Sequence, residues 1–215
     1  MKKKFILCAL LLCVLPSMSF AVMVSGPWST TTPIPSTLTD WVGSLSFPQF
    51  NPSLGTLTMV QIDLSSSMST IITATNNSPE PSQGIAKTEL QLTVQDSGGN
   101  LITPEIDMFS PNFNYVLGAG QSLTSGTLTK NGLSSDQYTA PAVLLEFTGP
   151  GTIILPASTF TQTWLTNTGG NTFASQVTYA SVTGSVTYYY EPIPEPATIC
   201  LLGLGALGLL RKRRA

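Results

Sequence analysis

The chain has 215 residues, room for one sizeable domain plus targeting segments. Charged residues make up 9% of it and hydrophobic residues 42%, a balance with enough apolar surface to build a core and unlike that of a disordered chain. Lys2–Lys4 and Arg211–Arg214 hold seven of the nine basic residues, so the middle keeps only Lys87 and Lys130 against all eleven acids, a net −9. A body of that sign, with no Arg and no His, excludes phosphate-backbone recognition and hence nucleic acid as a partner. Cys8 and Cys13 lie near one end and Cys200 near the other. The body therefore excludes disulfides, thiol nucleophiles and cysteine-ligated zinc.

The first 21 residues read as a secretory signal peptide. Lys2–Lys4 form the positive region, Phe5 to Leu15 the apolar helix, and Pro16 breaks it. Ser19 and Ala21 place small residues at the two positions a signal peptidase reads, so cleavage is expected after Ala21 and export through the Sec translocon. The alternative, an uncleaved anchor, has a short apolar run for a membrane span. Leu12 stands before Cys13 where lipoprotein processing needs a small residue.

Residues 22–190 form the expected body, an all-β antiparallel sandwich flanked by the N-terminal signal helix and a short C-terminal transmembrane helix. Val22 to Thr39, rich in Ser, Thr and Pro, reads as a flexible or edge-hugging lead-in. Thr56 to Leu64 reads as a strand whose apolar phase changes between Met59 and Val60, which predicts a bulge or burial on both faces. Ile71 to Thr75 follows. Lys87 to Gln95 alternates most clearly: Leu90, Leu92 and Val94 on one face, Glu89, Gln91, Thr93 and Gln95 on the other. Asp96 to Asn100 reads as a turn, with a return from Leu101 to Thr103. Further strands are expected at Ser122–Thr129, Val143–Phe147, Thr152–Leu155, Phe160–Leu165, Phe173–Tyr179 and Val182–Tyr190.

Residues 191–196 hold three prolines, which donate nothing to a ladder, and read as an extended spacer. Ala197 to Leu210 is apolar and rises to roughly 21 Å as a helix, short for a hydrocarbon core of about 30 Å. Arg211, Lys212, Arg213 and Arg214 then act as a basic stop-transfer that stays inside. Pro194-Glu195-Pro196, the short Gly/Leu-rich span and the basic end, in that order, resemble the PEP-CTERM sorting signal of exopolysaccharide-producing Gram-negative bacteria. The resemblance implies transient inner-membrane anchoring over 197–215, recognition by an exosortase-type membrane protease, and release to the cell surface or extracellular matrix. The other reading of this tail is a permanent anchor that is never cut.

Ser44-Leu45-Ser46-Phe47-Pro48-Gln49-Phe50-Asn51-Pro52-Ser53-Leu54-Gly55-Thr56-Leu57 is similar to the opening of the choice-of-anchor E domain, and Val182 to Tyr190 resembles its last strand. Asn51 replaces an acid that the family often carries there. Phe47 and Phe50 read as core anchors.

Catalytic parts are scarce. No Ser-His-Asp triad or zincin can form without His. Glu105 and Asp107 would share one strand face, which keeps a carboxylate-dependent glycosidase as a rival to a non-enzymatic, exopolysaccharide-interacting body. Asp96, Asn100, Glu105, Asp107 and Asp136 are oxygen ligands of the kind calcium takes, without the spacing of a calcium loop. No catalytic residue, cofactor or metal is assigned. Thr56/Thr58, Thr127/Thr129 and Thr161/Thr163 suggest hydroxyl rows for ice or glycan, or simply strand propensity. Trp28, Trp41 and Trp164 are either sugar-stacking rings or packing residues. Intact mass of the protein recovered from cells should correspond to a chain beginning at Val22 and ending near Pro194–Pro196; Met1 and Ala215 both retained in cytoplasmic protein would contradict both processing events.

Overall fold

The computed structural model describes residues 22–96, 98 and 105–193. The signal segment, the turn and return expected across residues 97 and 99–104, and the sorting tail from Pro194 lie outside the described residues. Among the described residues eleven strands form: β1 (Met23–Ser29), β2 (Ile34–Leu38), β3 (Val42–Pro48), β4 (Gly55–Asn76), β5 (Ser82–Val94), β6 (Ile106–Phe109), β7 (Phe113–Leu117), β8 (Ser122–Thr124), β9 (Leu128–Tyr138), β10 (Thr152–Gly169) and β11 (Thr172–Pro192). One sheet runs β1–β11–β4–β8, with β2 also on β11 and β9 also on β4. The other runs β3–β10–β5–β6, with β7 also on β5. Every pairing between these strands is antiparallel. The chain crosses between the sheets at β2–β3, β3–β4, β4–β5, β7–β8, β9–β10 and β10–β11, so that β4 is flanked by β11 and β5 by β10. This is the jelly-roll arrangement of a two-sheet sandwich.

Alternation decides which face is inside. Val60, Ile62 and Leu64 of β4 meet Leu90, Leu92 and Val94 of β5, Leu45 and Phe47 of β3, Leu155 of β10 and Val186 and Tyr188 of β11 in one buried cluster. Phe50 packs its ring 5.7 Å from Tyr188 and 5.1 Å from Tyr190. The Tyr188 hydroxyl donates to the Pro48 carbonyl at 2.6 Å, and burial pushes its pKa well up. A second cluster, with Ile72, Ala86, Phe113, Tyr115 and Leu117, fills the far end of the sandwich. Toward that end a buried hydroxyl bridge joins the sheets. Thr70 of β4 bonds Thr88 of β5 at 3.1 Å and Thr178 of β11 at 2.7 Å.

Several expected segments merge or change. Thr56–Leu64 and Ile71–Thr75 are parts of one 22-residue strand. Its phase change is a bulge: Tyr190 pairs with Leu57 and Tyr189 with Met59, leaving Thr58 as the extra residue, its hydroxyl donating to the Tyr189 carbonyl. Thr152–Leu155 joins Phe160–Leu165 in β10, and Phe173–Tyr179 joins Val182–Tyr190 in β11. The lead-in is ordered as the edge strands β1 and β2 against β11. Ser122–Thr129 is interrupted, because Ser125 turns its hydroxyl onto the backbone of Ile72 and Gly126. Val143–Phe147 is not a strand. It falls on the helix α1 (Pro141–Glu146) and its C-cap Phe147; Pro141 opens the first turn and Val143 is buried in the core. β11 runs on through Glu191 and Pro192, past the expected end of the body.

Thr70→Val keeps the volume of the buried bridge but removes the hydroxyl that Thr88 and Thr178 share. It should lower unfolding free energy by about 1–3 kcal/mol in urea titration, with little change in the denaturant slope.

Candidate functional site

The solvent side of the sheet β3–β10–β5–β6 carries a polar and aromatic patch laid out by register. Gln162 of β10 pairs with Glu89 of β5, which pairs with Phe109 of β6. On one side of that row Phe160 faces Gln91, which faces Asp107; on the other Trp164 faces Lys87. All of these residues have the outward parity, because Leu90, Leu92 and Met108 between them are buried. Strand geometry separates Phe160 from Trp164 by roughly 13 Å along β10, and Phe109 lies two strands away, at roughly 10 Å.

Glu89 occupies the centre and is only 5% exposed although it sits on the outer face. Its carboxylate accepts from the Trp164 indole N–H, from the Gln162 amide, and from the Gln91 amide at 3.1 Å. The Trp164 N–H holds its pKa below the usual glutamate value, with burial opposing and the two amides helping. These donors offset the desolvation of the charge. Asp107 shares a hydrogen bond with Glu89 and shifts the other way: burial pushes it up, the charges of Glu89 and Glu105 add to that, and Lys87 pulls it down. At acid pH the protonated Asp107 is therefore the donor and Glu89 the acceptor. Lys87 is drawn over the Phe109 ring, its Nζ 3.9 Å from the centroid, a cation–π contact.

The same bonds fix the Trp164 ring. Trp164 is half-exposed, with its polar edge tied to Glu89. Phe160 and Phe109 are exposed beside it. The arrangement presents fixed apolar ring surface among amides and carboxylates. Farther along the same strands lies a shallow depression lined by Gln83, Ile85, Val116, Thr166 and Thr168.

The residues singled out from sequence fall in different places. Glu105 and Asp107 were paired by spacing, but Asp107 turns to Glu89 and the two acids form no isolated dyad. Asp96 ends near β5, Asp107 lies on β6 and Asp136 on β9 of the other sheet. Among the described residues no three carboxylates converge as a metal site, and Asn100 lies outside them. Trp28 is on the edge strand β1, its indole donating to Ser25, and Trp41 packs against the main core. Thr161 turns toward Asp40, whose carboxylate accepts from the Thr161 backbone at 2.9 Å. Thr56 and Thr58 of β4 and Thr129 of β9 lie on the other sheet, where cross-strand hydroxyl pairs join Ser67 of β4 to Ser181 of β11 at 2.7 Å and Thr73 to Thr124 at 3.0 Å. Glu89 was legible only as an outward residue of β5. Its partners Gln162 and Trp164 lie 73 and 75 positions away.

The pKa directions give a sign. Glu89 is depressed, so its contribution to stability is full above 4.5, its ordinary value, and is lost as pH falls through the folded pKa. Asp107 is raised, so its contribution is present in acid and fades as pH climbs through its own folded value. Glu89→Gln, which still offers a carbonyl to Trp164, should flatten the fall in Tm on acidification below 4.5; an unchanged acid limb would show that the buried charge is not its source.

Comparison with known proteins places one segment. No curated protein matches the chain. Among solved structures, a Triatoma virus structure is 13% identical over 82% of this chain and 68% of its own, with a TM-score of 0.21. A Clostridium thermocellum xylanase 10B fragment, its CBM22-1 and GH10 modules complexed with xylohexaose, is 12% identical over 79% of this chain and 27% of its own, with a TM-score of 0.15. A mud crab tombus-like virus structure is 10% identical over 84% of each chain, with a TM-score of 0.20. Likenesses this slight define neither fold nor function. Residues 192–214 match the PEP-CTERM protein-sorting motif, and that match supports export and sorting by an exosortase-type system, with membrane anchoring through the C-terminal segment.

Proposed function

We propose that the chain is a non-enzymatic surface or matrix protein whose outer face on β10, β5 and β6 binds exopolysaccharide. On this reading the signal peptide takes it through the Sec translocon, cleavage near Pro194-Glu195-Pro196 frees it from the inner membrane, and the jelly roll remains among the polysaccharide outside. The observation that carries the reading is Trp164: a half-exposed indole held by a buried carboxylate. A ring fixed before binding loses little conformational freedom when a sugar stacks on it. The amides of Gln91 and Gln162 and the carboxyl of Asp107 offer donors and acceptors for hydroxyls around it. The resemblance to the choice-of-anchor E domain is consistent with a body delivered to a surface by a separable tail.

The carboxylates favour binding over hydrolysis. Glycosidases hold their two carboxyl groups about 5 Å or more apart so that a glycosidic bond fits between them. Asp107 and Glu89 are in direct hydrogen-bond contact instead. Glu89 also accepts from three side-chain donors, which leaves it poorly placed to activate water.

The protein should be retained by exopolysaccharide purified from its own host in affinity electrophoresis. Trp164→Ala should weaken that retention at least about tenfold, in line with losing one well-packed aromatic contact, with Trp28→Ala as the unaffected control. Retention unchanged in Trp164→Ala would remove this face from the reading. Reducing sugar released from the polysaccharide, and abolished by Asp107→Asn, would replace binding by catalysis.

A further inference from the structure

The two ends of the described chain leave from neighbouring strands at one end of the sandwich. β1 is antiparallel to β11, with Met23 opposite Tyr190, so Val22 stands beside the last residues of β11. On the other side of β11, Pro192 pairs with Gly55, and the Ile193 backbone N–H still donates to the Leu54 carbonyl at 3.3 Å. No alanine fits at Gly55, because its Cβ would run into the Glu191 carbonyl. The ladder is therefore tight up to the point where the sorting segment begins.

Beyond Ile193 only Pro194, Glu195 and Pro196 precede the apolar run that starts at Ala197. The four chain steps from Ile193 to Ala197 reach at most about 14 Å. While the apolar run is in the membrane, this end of the body has no stalk to stand on and lies against the lipid surface.

The residues at this end suit that position. Ile193 is 58% exposed, Val22 56%, Met23 48% and Leu54 43%. Leu145, 75% exposed, is on α1. That helix lies at the same end, because Phe50 beside the Pro52–Leu54 turn bonds the Phe147 backbone. Among the described residues the charged groups nearest the rim are Glu191, beside Ile193, and Glu146, at the end of α1, with Asp96 and Glu105 flanking the β5–β6 connection on the same side of the sandwich. Lys87 is in the middle of β5, opposite Trp164, and Lys130 is near the start of β9, opposite Met68 and toward the other end. At the opposite end the turn around Ser78, Glu80 and Asn171 is polar, and the exposed apolar side chains nearby, Val116, Leu123 and Phe173, stand on the strands behind it.

We propose that Val22, Met23, Leu54, Leu145 and Ile193 form a lipid-contacting rim that seats the body on a zwitterionic bilayer until the tail is cut. Apolar side chains enter the headgroup boundary without a basic patch, so the contact draws on burial and not on attraction to anionic lipid. The proposal rests on the reading of residues 192–214 as a membrane-held sorting segment. It assigns a surface to the body itself, which the motif does not.

The test uses the full chain, signal removed and Cys200 replaced by Ser, reconstituted in phosphatidylcholine vesicles. A polarity-sensitive fluorophore is placed on Leu54→Cys or on Ser78→Cys. The label at 54 should emit to the blue and be quenched by a headgroup-attached quencher; the label at 78 should do neither. Exchanging Val22, Met23 and Ile193 together for Ser, all exposed positions, should return the label at 54 to aqueous emission. Protein that floats with the vesicles but shows equal, aqueous labels at both positions overturns the rim while leaving the sorting segment intact. A label at 54 that ignores the triple exchange overturns it too, since the tether alone would then account for the contact. Protein that fails to float overturns the membrane-held tail and the rim with it.

Discussion

The ladder between β4 and β11 is the constraint on which the molecule depends. It runs from Thr172 opposite Asn76 to Pro192 opposite Gly55, through the middle of one sheet. Each strand offers the apolar half of its alternation to the interior, so the ladder needs a second sheet to cover it. β5 and β10 form the middle of that cover, paired from Ala157–Val94 to Gly169–Ser82. These pairings join residues from 63 (Val94 and Ala157) to 137 (Gly55 and Pro192) positions apart. The fold therefore forms through long-range contacts, with the loop-closure cost that such contacts carry. The hydroxyl bridge of Thr70 with Thr88 and Thr178 ties the two central pairs together where the core changes from large aliphatic side chains to a smaller cluster.

The same register makes the outer patch. Because Gln162 stands opposite Glu89, a carboxylate that each strand alone would leave to solvent becomes enclosed by amides and an indole. Enclosure separates the two acids in character: Glu89 keeps the charge, and Asp107 tends toward the proton. A rigid tryptophan is the mechanical result. The protein thus spends a buried charge, a costly feature, on holding one ring in place.

Strand identity was readable wherever one face alternated cleanly, as in Leu90, Leu92 and Val94. The bulge near Thr58 was readable from the break in phase. Misreadings had local causes. Val143 and Phe147 have strand-forming side chains, but Pro141 starts a short helix that delivers both to the core. Glu191 and Pro192 stay in the sheet because Pro192 lies at the last rung of the ladder, where the loss of one N–H costs little. Long strands were read as pairs of short ones because Ser65–Ser67, Ser69 and Thr70 around Met68, and Ala157 to Thr159, carry small or polar side chains that dilute the alternation.

What the sequence determined by itself is the handling of the chain: cations beside two apolar ends, a Pro-Glu-Pro triplet, and an acidic body without His, Arg or Cys. Such signals are contiguous, and a local composition suffices to carry them. Tertiary structure alone decided which tryptophan is held at the surface, which acids meet, and that both ends of the body leave side by side. Those facts depend on register between strands distant in the chain, and register is set by how two sheets share one core.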